Sequence, residues 1–381
     1  MPRSDDAPIM IVAGEASGDL HGATLCRALR SLAPGRRLVG MGGERMAAAG
    51  VERAADVTAA AVIGGTEAFG PLATLYRAWR RLTAVLHGQS RPAVVVVIDF
   101  PEFNLRLARV ARRAGIPVVY FIPPQVWAWR PWRIRAIRRR VSRVLAVLPF
   151  EVALYEAAGV PVAFVGHPVL DAVAQAPSRE EARRKLAVPP EATVLGLLPG
   201  SRAQEIVHTL PVLRAAADRI VGSRPGTRLV LALAPTVDRA LVERLSAGTP
   251  PVTIVPDAHA VMRAADLLLV TSGTATLEAA LLGTPMIVCY RFSRLSEAWV
   301  RLLVRVPWIS LVNITLGRSV VPELYQRAFT PEQVAAEAER LLASPAALAA
   351  QRQGFAELRS LLGEPGVGER AAHHVLALAQ C

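Results

Sequence analysis

The run Val94-Val-Val-Val-Ile98 offers no polar residue to either face of an extended strand. Successive strand side chains point to opposite faces, so both faces must be covered, which a parallel sheet under helices on both sides does. The chain repeats that grammar. Met10–Ala13 reads as a strand and Asp19–Leu32 as a helix. Helix Leu105–Ala114 and strand Val118–Ile122 follow the Val94 run. Strand, helix, strand in recurrence predicts a doubly wound α/β domain. The pattern breaks near Gly166, and residues 175–190 hold prolines and charges without a strand. It restarts with strand Val194–Leu198, helix Glu205–Val221 and strands at Leu229–Ala234, Val252–Val255, Leu267–Val270 and Met286–Cys289. Two doubly wound domains follow, residues 1–168 and 169–345, with an Ala-rich helical tail over 346–381 able to pack back on the first. The 381 residues suit two domains.

Composition narrows the class of function. With 52% hydrophobic and 20% charged residues, the chain has the apolar surface to fold. No apolar run reaches the roughly 18–20 residues of a membrane span, and the N-terminus MPRSDDAPIM does not read as an export signal. Cys26, Cys289 and Cys381 are few and far apart, as free thiols in a reducing compartment would be. The net charge is +13, and its placement matters more than its size. Between Glu102 and Glu151 there are eleven arginines and no acid, a field suited to an anionic surface or ligand. No zinc-finger spacing or RNA-binding aromatic motif accompanies it, so nucleic acid is not the expected partner.

Three strand-to-helix turns could carry chemistry in the first half. VAGEASGDLHG, residues 12–22, joins a strand to a helix through Gly14 and Gly18, with Ser17 or Asp19 as a plausible N-cap. An ordinary capped turn explains all of it except the charge on Glu15. In VVVVIDFPEFN, Asp99 follows a buried strand and can act as a general base toward a sugar hydroxyl, or cap the next helix, where Pro101 also fits. The two readings stand level. In residues 121–140, Trp127, Trp129 and Trp132 sit among arginines, a mixture fit for a pocket, a core or an anionic interface. Residues 69–86 form a basic amphipathic helix, whose stripe of Phe69, Leu72, Leu75, Tyr76, Trp79, Leu82 and Leu86 serves a core or a membrane.

Two turns stand out in the second half. LPGSR places Gly200, Ser201 and Arg202 at a helix start, an anion site without the GK[ST] of a nucleotide-hydrolysing loop. In LLVTSGTATLEAALLGTPMIV, Ser272, Gly273 and Thr274 open a helix whose amides and hydroxyls suit a diphosphate. Glu278 stands roughly 9 Å further along the axis, where it can accept from ribose hydroxyls.

Residues 268–288 resemble the nucleotide-sugar motif of two-domain GT-B glycosyltransferases. With VAGEASGDLHG, GMGG, IDFPEFN, PPQVWAWR, LPFE, GHP, LPGSR and LVNITLGRSVVPELYQ in order across nearly the whole chain, the set resembles the lipid-A-disaccharide synthase family. That resemblance implies a GT-B fold, two Rossmann-like domains facing a central cleft. It implies transfer of 2,3-diacylglucosamine from its UDP derivative to the 6-hydroxyl of 2,3-diacylglucosamine 1-phosphate, with inversion and without cofactor or metal. It implies a cytoplasmic protein lying peripherally on the anionic cytoplasmic face of the inner membrane, and is compatible with a homodimer. Asp99 is then the base, and Arg202 with the Ser272–Thr274 helix tip neutralises the leaving UDP. Glu278 holds the ribose, Glu15 and Ser17 contribute from the first domain, and Asn313, Glu323 and Gln326 match family positions facing the cleft. Phe100 and Glu102 stand where the family often has Ala and Asp. A UDP-sugar 2-epimerase of the same architecture is the alternative.

Overall fold

The structure is a computed structural model that describes residues 7–55, 69–291 and 307–380. The chain divides into two compact units, residues 1–168 with 363–381, and residues 169–362.

The first unit runs β1 (Ile9–Ala13), α1 (Ala16–Leu32), β2 (Leu38–Met41), α2 (Glu44–Ala48), β3 (Val51–Ala55), α3 (Phe69–His87), β4 (Val94–Ile98), α4 (Pro101–Arg113), β5 (Val118–Phe121), α5 (Arg133–Arg140), β6 (Arg143–Ala146), α6 (Pro149–Ala157) and β7 (Val162–Phe164). Its parallel strands lie in the order β3-β2-β1-β4-β5-β6-β7. β1 and β4 are buried at every residue, as a sheet covered on both faces requires. The order reverses between β1 and β4, which pair from Ile9 with Val94 to Ala13 with Ile98. A doubly wound sheet opens a crevice at such a reversal, beyond the carboxyl ends of its strands.

The second unit runs α7 (Val169–Val173), α8 (Arg179–Lys185), β8 (Val194–Leu198), α9 (Ala203–Ser223), β9 (Arg228–Ala232), α10 (Arg239–Ser246), β10 (Val252–Val255), α11 (Ala258–Ala264), β11 (Leu267–Thr271), α12 (Thr274–Leu281), β12 (Met286–Tyr290), α13 (Leu311–Leu316), β13 (Glu323–Tyr325), a 3-10 turn (Gln326–Ala328), α14 (Pro331–Leu342) and α15 (Pro345–Leu362). Its strand order is β10-β9-β8-β11-β12-β13, reversing between β8 and β11. The stretch before β8, read from sequence as a break, holds α8, opened by a Ser178–Glu181 capping box. The last helix, α16 (Val367–Ala379), packs on α1 in the first unit, and Arg370 Nε donates to the Val165 carbonyl at 2.9 Å.

Two helices begin earlier than the sequence pattern suggests. α4 starts at Pro101, because a proline at the first position loses no needed N–H. α1 starts at Ala16, with Glu15 at the N-cap position and no side-chain capping bond. Neither Ser17 nor Asp19 caps it. Asp19 is buried and accepts from the amides of Gly43 (2.7 Å), Arg45 (3.1 Å) and Met46 (3.1 Å), so it caps α2 instead.

The apolar stripe of α3 is divided. Leu82 and Leu86 are fully buried, and Trp79 packs edge-on against Phe103 at 5.7 Å, so this part is core. Tyr76 is 63% exposed beside the exposed Arg77 and Arg80. The side chains of Phe69 and Leu72 lie outside the described residues, as does Cys381. Cys26 and Cys289 are buried free thiols.

Candidate functional site

In the first unit the chemistry gathers at the β1–β4 reversal. β1 delivers Gly14 and Glu15, and β4 delivers Asp99. The two turns are interlocked: a Cβ on Gly14 would lie 2.3 Å from the ring of Phe100, so only glycine lets them close. Asp99 and Phe100 both sit in the left-handed region, at φ 44° and 46°. Side chains hold them there. Asn104 Nδ2 donates to the carbonyls of Ile98 (3.0 Å) and Asp99 (2.7 Å), and the buried Tyr120 hydroxyl donates to Asp99 at 2.9 Å.

This geometry bears on the capping role open to Asp99. The N-cap residue of α4 is Phe100, with no side-chain capping bond, so Asp99 does not cap. Burial pushes its carboxyl above the usual range. The Phe100 amide pulls the other way, and the charge of Glu102 adds to the rise. Among the described residues no cation pairs with it, and a partly desolvated, unpaired carboxylate is the state a general base needs. Glu102 differs: it is half exposed and takes ion pairs from Arg130 (2.8 Å) and Arg133. Glu15 is half buried and Ser17 exposed at the start of α1.

The loop that supplies Arg130 is pinned by a residue to which the sequence assigns no role of its own. Glu151 is buried and accepts from the amides of Leu148 (3.2 Å) and Val147 (3.3 Å) and from Trp127 Nε1 (3.1 Å). Burial pushes its carboxyl up to about 7, against those three donors. Trp127 also stands edge-on to Phe150 at 5.1 Å, so it belongs to the fold, while Trp129 and Trp132 are 37% and 57% exposed.

In the second unit the turns after β8 and β11 flank the other reversal. Gly200 has φ 119°, a backbone conformation that favours glycine, and a Cβ there would also push on the Glu205 carboxylate, 2.8 Å from Oε2. That carboxylate accepts the Ser201 amide at 3.3 Å and Arg202 Nη1 at 3.0 Å through its other oxygen. Arg202 itself is exposed. The Glu205 pairing holds one edge of its guanidinium and leaves four further N–H donors.

After β11, Gly273 and Thr274 are exposed at the tip of α12, and Ser272 is half buried. The Ser272 hydroxyl donates to the Ile309 carbonyl at 2.7 Å, so the amides of this turn, more than that hydroxyl, are presented outward. The segment it grips is held by a polar knot. Asn313 is fully buried, donating to the Val321 carbonyl (2.9 Å) and Glu323 (2.8 Å) and accepting from the amides of Val320 (2.7 Å) and Val321 (3.0 Å). Glu323 accepts from the amides of Ile309 (2.8 Å) and Ser310 (3.0 Å). All four hydrogen-bonding positions of Asn313 are thus used internally. Asn313 and Glu323 therefore build the platform under the Ser272 turn, where the sequence reading had them facing the cleft. Gln326 follows β13 at φ 54°, on the same carboxyl edge of the sheet.

Glu278 is paired, which its motif does not reveal. Its Oε2 lies 3.1 Å from His259 Nε2 on α11. The bond to Glu278 holds the imidazole above its ordinary pKa against its own burial, helped by the charges of Glu278 and Asp257.

Among the described residues no helix is long and apolar enough to cross a membrane. A family model described as lipid-A-disaccharide synthetase matches residues 9–375. The lipid-A-disaccharide synthase of Syntrophus aciditrophicus is 44% identical over 373 residues, covering 97% of this chain and 97% of the relative. Among solved structures, a putative UDP-N-acetylglucosamine 2-epimerase from Listeria monocytogenes matches with TM-score 0.66 at 14% identity, covering 98% of this chain and 95% of that one. The glycotransferase of kitacinnamycin matches with TM-score 0.63 at 18% identity, covering 98% and 99%. Likeness at such identities shows the fold alone, and that fold is GT-B.

Proposed function

This chain belongs to the lipid-A-disaccharide synthase family and is a glycosyltransferase of lipid A biosynthesis, and from that premise we propose its substrates and the roles of its residues. The donor is UDP-2,3-diacylglucosamine, and the acceptor is 2,3-diacylglucosamine 1-phosphate. Asp99 takes the proton of the acceptor 6-hydroxyl as that oxygen attacks the anomeric carbon. The C–O bond to UDP breaks on the opposite face, and an α-linked donor becomes a β(1→6) disaccharide. The charge released on UDP falls to Arg202 and the exposed amides of Ser272–Thr274, with Gly200 and Ser201 beside them. Glu278 accepts from the ribose hydroxyls, while Glu15, Ser17 and Gln326 complete the substrate contacts. Asn313 and Glu323 act through the platform they build.

The observation that carries this reading is the state of Asp99: a carboxylate at the β1–β4 reversal, partly buried, uncapping and, among the described residues, without a cation. The UDP-sugar 2-epimerase alternative rests on likeness of fold, at 14% to 16% identity to solved epimerases. The test is UDP release from the acylated donor by the purified chain, with and without the acceptor lipid. Release that needs the acceptor supports the transferase, and release or epimerisation without it refutes the reading.

The same reading takes the protein to the anionic cytoplasmic face of the inner membrane. Its support is the cationic field of α3, α4 and α5, dense enough that Arg140, already partly desolvated, is further depressed by Arg109 and Arg139. Tyr76 and Trp132 stand exposed among those arginines. A basic residue near such a surface contributes about 1 kcal/mol, screened within a Debye length. Binding to phosphatidylglycerol vesicles that fades as salt rises is expected, and an absence of binding at low salt defeats the idea.

A further inference from the structure

We propose that Arg130 and Arg133, stacked on Trp129 beside Glu102, form a subsite for the phosphate monoester of the acceptor sugar. The inference rests on the function proposed above and adds to it the residues that would choose a phosphorylated acceptor.

Three features carry it. The first is charge. Both guanidiniums converge on one oxygen, Glu102 Oε1, Arg130 from 2.8 Å. A single carboxylate balances one of the two charges, so the cluster keeps an excess positive charge. The second is unused donor capacity. A guanidinium has five N–H donors, and each of these side chains makes that one hydrogen bond among the described residues. Both cations lie over the Trp129 ring, 4.5 Å and 4.9 Å from its centre, an attraction that holds them in place without using an N–H donor. Planar, fixed forks match phosphate oxygens in pairs, which lysines would not. The Arg133 side chain is only 9% exposed, so its charge is weakly screened, while Arg130 at 38% is open to a ligand.

The third feature is position. Glu102 lies in the first turn of α4, three residues beyond Asp99. The acceptor is a hexose whose phosphate, on C1, and reacting hydroxyl, on C6, hang from the two carbons that flank the ring oxygen. A phosphate held beside Glu102 leaves the hydroxyl end of that ring free to approach the base. A purely structural ion pair needs one arginine for one carboxylate, and the second guanidinium is then unexplained.

The test compares two acceptors with the full chain and UDP-2,3-diacylglucosamine in mixed micelles. One acceptor is 2,3-diacylglucosamine 1-phosphate, and the other is the methyl glycoside of the same lipid, which lacks the phosphate. The unaltered protein should prefer the phosphate. Arg130→Ala should cut kcat/KM for the phosphorylated acceptor roughly 10- to 100-fold, mainly through KM, as loss of a charged hydrogen bond does. It should leave the methyl glycoside unchanged, so the preference disappears. Arg130→Lys should keep part of it as a point charge. Should Arg130→Ala melt early, Arg130→Gln gives the same comparison with more of the stem retained. An equal loss on both acceptors overturns the subsite and assigns the pair to holding the loop. Weaker binding to phosphatidylglycerol vesicles with acceptor preference intact overturns it in favour of a lipid headgroup. No transfer by the unaltered protein to either acceptor overturns the function reading and the subsite with it.

Discussion

Replacing Asp99 by Asn separates catalysis from architecture more cleanly than any other change at this site. The left-handed turn at residues 99–100 is held through the backbone carbonyl of Asp99, which accepts from Asn104 and Tyr120, while the Asp99 carboxylate meets the Phe100 amide. Asparagine keeps that carbonyl and tolerates the left-handed conformation better than most residues. It also keeps an oxygen for the Phe100 amide. What it loses is a charge that burial disfavours. A carboxyl raised in the folded state opposes folding at pH above its folded pKa, and the opposition vanishes as pH falls below the unfolded value. Asp99→Asn should therefore melt at the same temperature as the parent or higher at pH 7. Glycosyl transfer should fall about 10²–10⁴-fold, the range general-base catalysis supplies. UDP affinity should not move, because the residues assigned to it lie in the second unit. The assays are acceptor-dependent UDP release, calorimetric UDP binding and a melt. Turnover near that of the parent would remove Asp99 from the chemistry. A lowered melting temperature would mean that the charged carboxylate supports the turn through the Phe100 amide by more than its burial costs.

Two further outcomes are expected. Arg202→Ala should lower turnover about 10²–10³-fold with no change in melting, since the side chain is exposed and, among the described residues, pairs only with Glu205 three residues on; near-normal kcat in the folded variant would refute the assignment. Glu151, whose carboxyl titrates near 7 against an ordinary 4.5, should make the first unit lose stability as pH rises from about 4.5 to 7, by on the order of 3 kcal/mol for this buried group. Urea unfolding read through tryptophan fluorescence should lose that slope in Glu151→Gln, and an unchanged slope would place the titration elsewhere.

The architecture was legible because it rests on patterns of apolar residues, which a chain displays without regard to its neighbours. The fully apolar β1 and β4 runs and the restart at Val194 fix two parallel sheets, and Gly14, Gly200 and Gly273 mark their turns. The site was legible only down to which turn carries which residue. Asp19 looks like a cap for its own helix, but its carboxylate serves α2, 24 to 27 residues away. Asn313 and Glu323 look like ligand contacts, but their bonds close on Ile309, Ser310 and Val321. His259 carries no motif and meets Glu278 across 19 residues. Such pairings depend on which helices the tertiary fold brings together, and neither spacing nor propensity encodes that. A buried polar residue was the one available signal. Asn104, Asn313 and Glu151 sit in strongly apolar stretches, where each needs internal partners.

On the roles proposed above, Asp99 just before α4 and Glu102 in its first turn let one turn of chain separate proton removal from anion recognition. Non-glycine residues in the left-handed region cost about 1–3 kcal/mol each, and here two stand in succession. Asn104 and Tyr120 offset that cost through the carbonyls they bind. The strained turn leaves Asp99 partly buried with an amide neighbour, while Glu102 emerges on the helix and meets both arginines. The reverse arrangement would fail. An arginine on Asp99 would stabilise its charged form and weaken it as a base. A Glu102 without arginines would add an unbalanced negative charge beside a phosphorylated acceptor. Directing the cations to Glu102 keeps Asp99 basic and gathers positive charge one turn away from it. Proton removal and anion recognition can then be served by neighbouring groups without either neutralising the other.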